Sequence, residues 1–294
     1  MPIRIGTRGS RLALAQTEKV ARALAEHDVE VETVIVRTQG DAATEVPLHE
    51  IGGQGVFVRA LDESILDGEI DAAVHSMKDI PAKRPEGVVT AAILTRDSPA
   101  DFLVFNGKLE DVQVVGTSST RRRAQMLRHD PSIEVRPLRG NVDTRLRKMA
   151  LGEYDAIILA EAGIQRMNLA VHGIRLPLTQ FVPSPNQGTI AVVARDDPEL
   201  LSTFRFLDDT TTRVDINAER AAMEEVGGGC FTPTGIFCNG GRLIAEVLSL
   251  EGDRTVRIDQ KISTVKEARE CGRQLREQAA DLIREAAEKL RLPE

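Results

Sequence analysis

The chain has 294 residues, of which 41% are hydrophobic, and this excludes a globally disordered protein and predicts two or three domains. Its 45 acidic residues outnumber its 38 lysines and arginines, and the net charge of -7 argues against a polyanionic partner such as nucleic acid. Tryptophan is absent and tyrosine occurs once, so recognition of nucleic acid by base stacking is also disfavoured.

No apolar run approaches the length of a transmembrane helix, and the N-terminal MPIRIGTRGS has no apolar signal core. Cys230, Cys238 and Cys271 show neither zinc-ligand spacing nor a disulfide pattern, and the histidines and carboxylates show no metal-ligand spacing. We therefore expect a cytoplasmic protein with no membrane contact and no metal. No interface pattern is evident, which favours a monomer.

In chain order, apolar strand-like runs alternate with amphipathic helical runs. Strands are predicted at residues 3–5, 29–36, 71–74, 114–116, 134–138, 156–159, 190–194, 243–250 and 255–262. Helices are predicted after an N-cap at Ser10 and at residues 56–66, 120–129, 142–151, 215–226 and 265–290. This order predicts two α/β lobes with mostly parallel sheets around a cleft, then a small α+β module.

The first lobe carries two candidate motifs. Arg8 and Ser10 lie between the first strand and its helix, where helix N-termini bind anions. The alternative is that Ser10 only caps the helix while Arg8 is solvated. Lys78 and Asp79 follow the strand at 71–74, where a carboxylate can act as acid, base or electrostatic stabiliser. The alternative for Asp79 is a turn hydrogen bond before Pro81.

The second lobe concentrates positive charge. Residues 116–148 hold nine arginines or lysines against three acids. The hydroxyl cluster Thr117, Ser118 and Ser119 precedes arginines at a helix start, an unfavourable place for a cation unless an anion offsets it. Arg139 follows the next strand. Because these strand ends are predicted to share one edge, they favour a ligand with several carboxylates.

The run Gly227-Gly228-Gly229-Cys230 places a thiol behind three residues that tolerate positive φ, so that it can approach a large ligand. The alternative is a glycine-terminated helix followed by a buried thiol.

These motifs together resemble the porphobilinogen deaminase family, also called hydroxymethylbilane synthase. The resemblance rests on segments that occur in order across nearly the whole chain: TRGSRLALAQ, HSMKDIP, GTSSTRRRAQ, LRGNVDTRL, GEYDAIILAEAG and ERAAMEEVGGGC.

The resemblance implies two periplasmic-binding-protein-like lobes around a cleft and a small α+β domain. Domain 1 would span residues 1–97 and 187–209, domain 2 residues 98–186, and domain 3 residues 210–294. It also implies a covalent dipyrromethane primer on Cys230, and a transferase that condenses four porphobilinogen molecules onto it, releasing ammonia and finally linear hydroxymethylbilane.

The implied site residues fall into three overlapping groups. The catalytic residues are Asp79 and Lys78. Cofactor binding is implied for Cys230, Lys78, Asp79, Thr117, Ser118, Ser119, Arg121, Arg122, Arg139 and Gly140. Substrate binding is implied for Arg8, Ser10, Arg139, Arg145, Arg166 and Gln187. Cys238 and Cys271 lie outside the motifs and receive no role.

The chain departs from the family pattern at Gln54 and Arg59, where lysine is common, and at Asn186, where glycine is usual. Two other functions compete with the deaminase. A solute-binding module of the same fold would explain the arginines but not Cys230 or Asp79. A cysteine hydrolase would need a histidine within hydrogen-bond reach of the thiol.

Overall fold

The computed structural model describes residues 2–36, 56–81 and 84–290. Its strands are β1 (Ile3–Thr7), β2 (Val31–Ile35), β3 (Ala72–Ser76), β4 (Val88–Ile93), β5 (Asp101–Phe105), β6 (Val114–Gly116), β7 (Glu134–Arg136), β8 (Ala156–Ala160), β9 (Gly173–Arg175), β10 (Ile190–Arg195), β11 (Thr234–Asn239), β12 (Arg242–Leu248) and β13 (Thr255–Lys261). Its α-helices are α1 (Arg11–Ala25), α2 (Val56–Leu66), α3 (Thr120–His129), α4 (Val142–Ala150), α5 (Glu161–Arg166), α6 (Pro198–Phe204), α7 (Thr210–Val226), α8 (Val265–Gln278) and α9 (Ala280–Leu290).

The chain divides into two compact units. The first unit comprises Met1–Asp97, Arg166–Asn168 and Gly188–Arg213. The second unit comprises Ser98–Gln165, Leu169–Gln187 and Val214–Glu294. The division of the chain into three domains stays a prediction.

The first unit is built on a five-stranded sheet of order β2-β1-β3-β10-β4. β1 runs parallel to β2 and β3, whereas β10 runs antiparallel to β3 and β4. The expectation of a mostly parallel sheet was therefore wrong. The strand that opposes the other four is β10, which joins the sheet more than a hundred residues after β3, so the helix–strand alternation of the first hundred residues held no information about its direction.

Helix α1 packs on this sheet as its sequence pattern predicts. Ser10 is the N-cap, and its hydroxyl accepts a hydrogen bond from the Ala13 N–H at 3.3 Å. Val20 and Leu24 are fully buried against the sheet, together with Ile5 of β1. The predicted cap is confirmed, and the burial of Val20 and Leu24 agrees with the predicted amphipathic helix.

The second unit contains a five-stranded sheet of order β7-β6-β8-β5-β9. β6 is parallel to β7 and β8, and β5 is antiparallel to β8 and β9. Side-chain caps begin the two helices that leave its parallel strands: Ser119 caps α3, and Asn141 caps α4 with a 2.9 Å bond from the Thr144 N–H. These caps place both helix starts beside the strand ends that carry the candidate site.

A three-stranded antiparallel sheet, β11-β12-β13, completes the second unit. Helices α8 and α9 cover it through a buried apolar face. The predicted single helix over residues 265–290 was wrong, since the backbone leaves helical geometry at Ala279, with φ -100° and ψ 14°. No glycine or proline marks this break, and the apolar pattern continues through it. The predicted fold class, two α/β lobes and a small α+β module, is confirmed.

Asn186 occupies a position with left-handed backbone, at φ 65°. Its N–H donates to the Glu219 carboxylate over 2.6 Å, and both residues are buried. Asparagine tolerates this conformation better than other residues that carry a Cβ. The backbone therefore explains both the glycine usual in the family and the asparagine found in this chain.

Candidate functional site

The first candidate edge lies at the carboxyl ends of β1 and β3, which are parallel neighbours. Arg8 follows β1 and precedes Ser10 at the start of α1. Lys78 and Asp79 lie in a single 3₁₀ turn that directly follows β3, and Asp79 is exposed. The sheet thus brings four predicted site residues of this unit to one edge.

Arg166 belongs to the same unit and is held by Asp97. Its Nε donates to Asp97 Oδ2 at 2.8 Å and its Nη2 to the Gly188 carbonyl at 2.7 Å. Asp97 also binds Lys19 at 2.7 Å. Burial lowers the pKa of Arg166, while the negative charges of Asp97 and Asp79 oppose that shift. The structure therefore places the predicted catalytic carboxylate within electrostatic reach of a predicted ligand-binding guanidinium.

His75 precedes this turn in β3 and is buried. Its Nε2 is fully enclosed and makes no hydrogen bond to any residue that the structure describes. Burial, reinforced by the positive charges of Arg84 and Arg8, lowers the pKa of His75 to about 3. Arg84 also forms an ion pair with the buried Asp62. Burial nevertheless raises the pKa of Asp62 to about 6, with Arg84 opposing the shift. Because the pKa of His75 is lowered, its imidazole is uncharged at neutral pH.

We expect His75 and Asp62 to change the free energy of unfolding in opposite directions as the pH falls. Below pH about 6.5 the unfolded chain protonates His75 and the folded chain does not, so stability falls. Between pH about 6 and 4 the folded chain protonates Asp62 before the unfolded chain does, so stability rises. In His75→Gln only the second effect remains, and wild type should lose up to about 1.4 kcal/mol per pH unit relative to the variant below pH about 6. Urea unfolding of both proteins at pH 7.5, 6 and 5 measures this difference, and parallel pH profiles would contradict it.

The second candidate edge lies at the carboxyl ends of β6 and β7, also parallel neighbours. Thr117, Ser118 and Ser119 connect β6 to α3, and Ser118 Oγ donates to the Leu138 carbonyl at 2.9 Å. Arg139 is exposed and forms no ion pair with any residue in the described ranges. The segment after β6 and the segment after β7 are therefore joined as one surface.

Arg145 carries a positive charge that no described carboxylate neutralises. Its Nε donates to the Gly140 carbonyl at 2.8 Å, and no acidic residue in the described part of the chain pairs with it. Gly140 has φ 110°, and a Cβ there would lie 2.7 Å from the Thr144 methyl carbon. Burial, with repulsion from Arg122, lowers the pKa of Arg145 to about 10. A half-buried guanidinium in this state favours an incoming carboxylate.

Arg121 and Arg122 are directed inward rather than toward the surface. Both are buried on Asp101, which accepts from Arg121 Nη1 at 2.8 Å and from Arg122 Nη2 at 2.7 Å. These two guanidiniums hold the pKa of Asp101 well below its usual range. Gln187 joins the same cluster, because its Nε2 donates to Asp101 Oδ1 at 2.9 Å. Direct ligand contact by these two arginines and Gln187 stays a prediction. In this structure all three side chains donate hydrogen bonds to Asp101.

The cysteine segment adopts the backbone that its glycines predict. Helix α7 ends at Val226, and Gly227, Gly228 and Gly229 all have positive φ, at 66°, 78° and 64°. Cys230 follows in the 3₁₀ turn Gly229–Phe231. Three successive left-handed residues could not be replaced by residues with a Cβ without strain. This segment is therefore a special turn after a helix rather than an ordinary single-residue helix end.

The other two thiols lie in the core of the C-terminal module. Cys238 and Cys271 are both buried. Burial, together with the nearby Asp215 carboxylate, raises the pKa of Cys238 to about 12, and burial raises that of Cys271 as well. A thiol is nucleophilic as its thiolate, so neither is suited to covalent attachment of a ligand.

Sequence reasoning missed the polar groups that hold the site residues. Asp97 and Asp101 organise three arginines, and Gln16 fixes α1 to the end of β3 through a 2.8 Å bond to Ser76 Oγ. Asp101 opens the apolar run DFLVF, where an isolated charge is a weak signal of a buried ion pair.

Two family models match this chain. A family model described as "Porphobilinogen deaminase, dipyromethane cofactor binding domain" matches residues 3–203, and one described as "Porphobilinogen deaminase, C-terminal domain" matches residues 214–281. A probable porphobilinogen deaminase of Methanosarcina acetivorans is 48% identical, covering 96% of this chain and 94% of the relative. A porphobilinogen deaminase of Syntrophus aciditrophicus is 37% identical, covering 95% of each.

Solved structures with a similar fold include two solute-binding proteins. An ancestral cationic amino acid solute binding protein shares 19% identity at a TM-score of 0.45, covering 70% of this chain and 87% of that one. A periplasmic substrate-binding protein from Coxiella burnetii shares 13% identity at a TM-score of 0.43, covering 72% and 94%.

The fold and its strand ends define an α/β protein with basic residues gathered at a sheet edge. The family matches identify it further. The chain belongs to the porphobilinogen deaminase family and contains that family's dipyrromethane cofactor-binding domain. The family, enzyme class and cofactor predicted from the motifs are confirmed.

Proposed function

We propose that this protein condenses four porphobilinogen molecules head to tail, releasing four ammonia molecules, and then hydrolyses the product from its primer as linear hydroxymethylbilane. The observation that carries this proposal is the uncompensated positive charge at the ends of β6 and β7. There, Arg145 lacks a described carboxylate partner while Arg139 is exposed on the same surface. Each pyrrole of the substrate carries an acetate and a propionate, which are suited to bidentate arginine.

The residues present fit a dipyrromethane, because cationic and hydroxyl donors at this edge suit its carboxylates. Arg139 and Arg145 would each hold a carboxylate, and Ser119 would add a hydroxyl donor at the positive end of α3. Ser118 donates its hydroxyl proton to the Leu138 carbonyl and would bind a carboxylate only by giving up that bond. Cys230 would form the thioether. When bound, the dipyrromethane supplies the free pyrrole α-carbon to which the first substrate is joined.

Asp79 is proposed as the catalytic carboxylate. Loss of ammonia from the aminomethyl group of porphobilinogen leaves positive charge on the pyrrole nitrogen, and a carboxylate facing that N–H stabilises it. After the new carbon–carbon bond forms, the α-carbon proton must leave, and Asp79 can accept it. Lys78, in the same turn, would bind a substrate carboxylate. In the same unit, Arg8, Ser10 and Arg166 would hold further carboxylates.

Ammonia release tests this function directly. The purified protein is incubated with porphobilinogen, and ammonia and free porphobilinogen are measured together. The proposal expects one ammonia for each porphobilinogen consumed and a linear tetrapyrrole as product. A solute-binding protein of the same fold would bind porphobilinogen and release no ammonia. A cysteine hydrolase would release no tetrapyrrole.

Replacing Arg145 separates binding from stability. Arg145→Gln removes a half-buried charge that lacks a carboxylate partner, so the melting temperature should stay the same or rise. The KM for porphobilinogen should rise about 10- to 100-fold, the loss expected for a hydrogen bond to a charged group. Arg139→Leu should likewise block chain extension. Arg147→Gln, exposed on the same helix, is the matched control and should match wild type. Unchanged affinity and elongation in both site variants would remove this edge from the substrate site.

Gln54 and Arg59 are two of the positions at which the chain departs from the family pattern. Gln54 and the glycine-rich segment 52–55 lie outside the described residues. Arg59 is exposed on α2 and forms a surface ion pair with Glu63 at 2.9 Å.

Among the helices that the structure describes, none has the length and apolar character needed to span a membrane. The cytoplasmic location and the monomeric state stay predictions.

A further inference from the structure

Three carboxylates in the second unit are completely shielded from solvent: Glu219 lies on helix α7, and the other two lie on different sheets. Asp101 opens β5, and Glu246 lies in the middle strand of the C-terminal sheet, β12. A buried carboxylate is stable only when donors surround it. Asp101 obtains its donors from Arg121, Arg122 and Gln187. The donors of Glu246 lead back to the same helix, α3.

Gln125 connects the two carboxylates. It is fully buried on α3, one turn after Arg121. Its Oε1 accepts from Arg121 Nη1 at 2.8 Å, and its Nε2 donates to Glu246 Oε1 at 2.9 Å and to the Val182 carbonyl at 2.8 Å. The arginine requires an acceptor and the carboxylate a donor, so an amide is the side chain that satisfies both sides at once.

Glu246 also holds the other end of this helix. Arg128 Nη1 donates to Glu246 Oε2 at 3.0 Å, and Arg257 of β13 adds a contact at 3.3 Å. Gln125 and Arg128 are separated by three residues, so they lie on one face of α3. Glu246 of the C-terminal sheet therefore receives two polar side chains of this helix. Arg123 of the same helix adds a third polar contact, because its Nη1 donates to the Leu250 carbonyl just after β12 at 2.8 Å.

The position of α3 matters for the carboxylate-binding edge. Its N-terminus carries Ser119, and the charge of its Arg122 reaches Arg145. Asp101 can neutralise only one of the two guanidiniums that it binds. The remaining positive charge repels Arg145 on that edge, and the size of this repulsion depends on distance.

We propose that Gln125 and Glu246 are positioning residues for the carboxylate-binding edge. Through them the C-terminal sheet fixes α3, and with it Arg121, Arg122 and the Ser119 cap. This inference rests on the proposed function, because it assigns the edge to ligand carboxylates. It also links the module that contains Cys230 to the arginine-bearing helix of the preceding lobe.

The test uses the full-length protein and three variants. Gln125→Met keeps the volume and removes all three side-chain hydrogen bonds of Gln125, Glu246→Gln removes the charge, and the double variant completes a cycle. Each is measured for melting temperature, for KM and kcat with porphobilinogen, and for the fraction that carries the covalent adduct by intact mass. Each single variant should raise KM about 2- to 10-fold and lower the loaded fraction, as for one lost hydrogen bond. Because the two residues share one contact, the double variant should be little worse than the worse single.

Three comparisons decide the outcome. Arg242 lies on the same strand as Glu246, β12, and forms an exposed ion pair with Asp259 of β13. Arg242→Gln breaks this pair and should match wild type. If the buried variants lower only the melting temperature, with KM and loading unchanged, their role is structural and the proposal is overturned. If a buried variant does not fold, Arg257→Gln, which contacts Glu246 from a partly exposed position, replaces it with the same expected direction. Arg145→Gln distinguishes failure of this inference from failure of the proposed function. If that variant leaves KM unchanged, the assignment of this edge to ligand carboxylates fails, and this inference fails with it.

Discussion

Replacing Cys230 by serine is expected to abolish the covalent adduct and with it all turnover. The purified wild-type protein, denatured and weighed intact, should exceed its sequence mass by two porphobilinogen units less two ammonia molecules. Cys230→Ser should show the sequence mass alone, because the variant has no thiol to form the thioether at the position that the glycine turn presents. The three left-handed glycines before Cys230 leave the backbone that leads to this residue without side chains.

Cys271→Ser and Cys238→Ser are the matched controls for this experiment. Both thiols are buried and have raised pKa values, so neither variant should lose the adduct. Cys271→Ser is the cleaner control, since Cys238 Sγ also contacts Asp215 at 3.4 Å. An adduct that persists in Cys230→Ser would show attachment elsewhere. An unmodified wild type that stays unmodified after addition of porphobilinogen would favour a binding protein.

Replacing Asp79 by alanine should leave the protein folded and reduce kcat about 10²- to 10⁴-fold, the range for loss of a positioned acid–base group. The carboxylate is exposed in its turn, so its removal exposes no cavity and leaves no buried partner unsatisfied. Asp79→Asn should be similarly impaired, because an amide can neither carry the stabilising charge nor take up the proton. Single-turnover ammonia release, with circular dichroism as the check on folding, measures the effect.

A second exposed carboxylate of the same unit provides the control for Asp79. Asp67→Asn, just after α2, should retain wild-type turnover. Near-wild-type kcat in Asp79→Ala would remove this residue from the mechanism. A loss confined to KM would instead make Asp79 a binding group that interacts through Arg166.

Local features of the site followed from sequence because they obey local rules. Ser10, the predicted cap, bonds to an N–H three residues away, and Ser119, from the predicted hydroxyl cluster, does the same at the start of α3. The glycine run before Cys230 has the positive φ that glycine permits. Each of these depends on a few neighbouring residues, so a linear pattern contains the required information.

The direction of β10 and the break between α8 and α9 could not be predicted from local sequence patterns. β10 pairs antiparallel with β3 from more than a hundred residues away, and the break at Ala279 carries no helix-breaking residue. Both depend on how distant segments pack, which overrides local propensity.

The sequence by itself determined which residues lie at the strand ends and which turn carries the cysteine, since helix caps, glycine conformations and the order of strands and helices are local. Only the tertiary structure decided what each charge contacts. Arg121 and Arg122 were expected to face a ligand, yet both bind Asp101, twenty or more residues earlier in the chain. Arg145, on the same sheet edge, has no carboxylate partner among the described residues. The physical reason is that a guanidinium's role depends on burial and on counter-charges brought close by folding, and these distances are set by packing between segments that are remote in sequence.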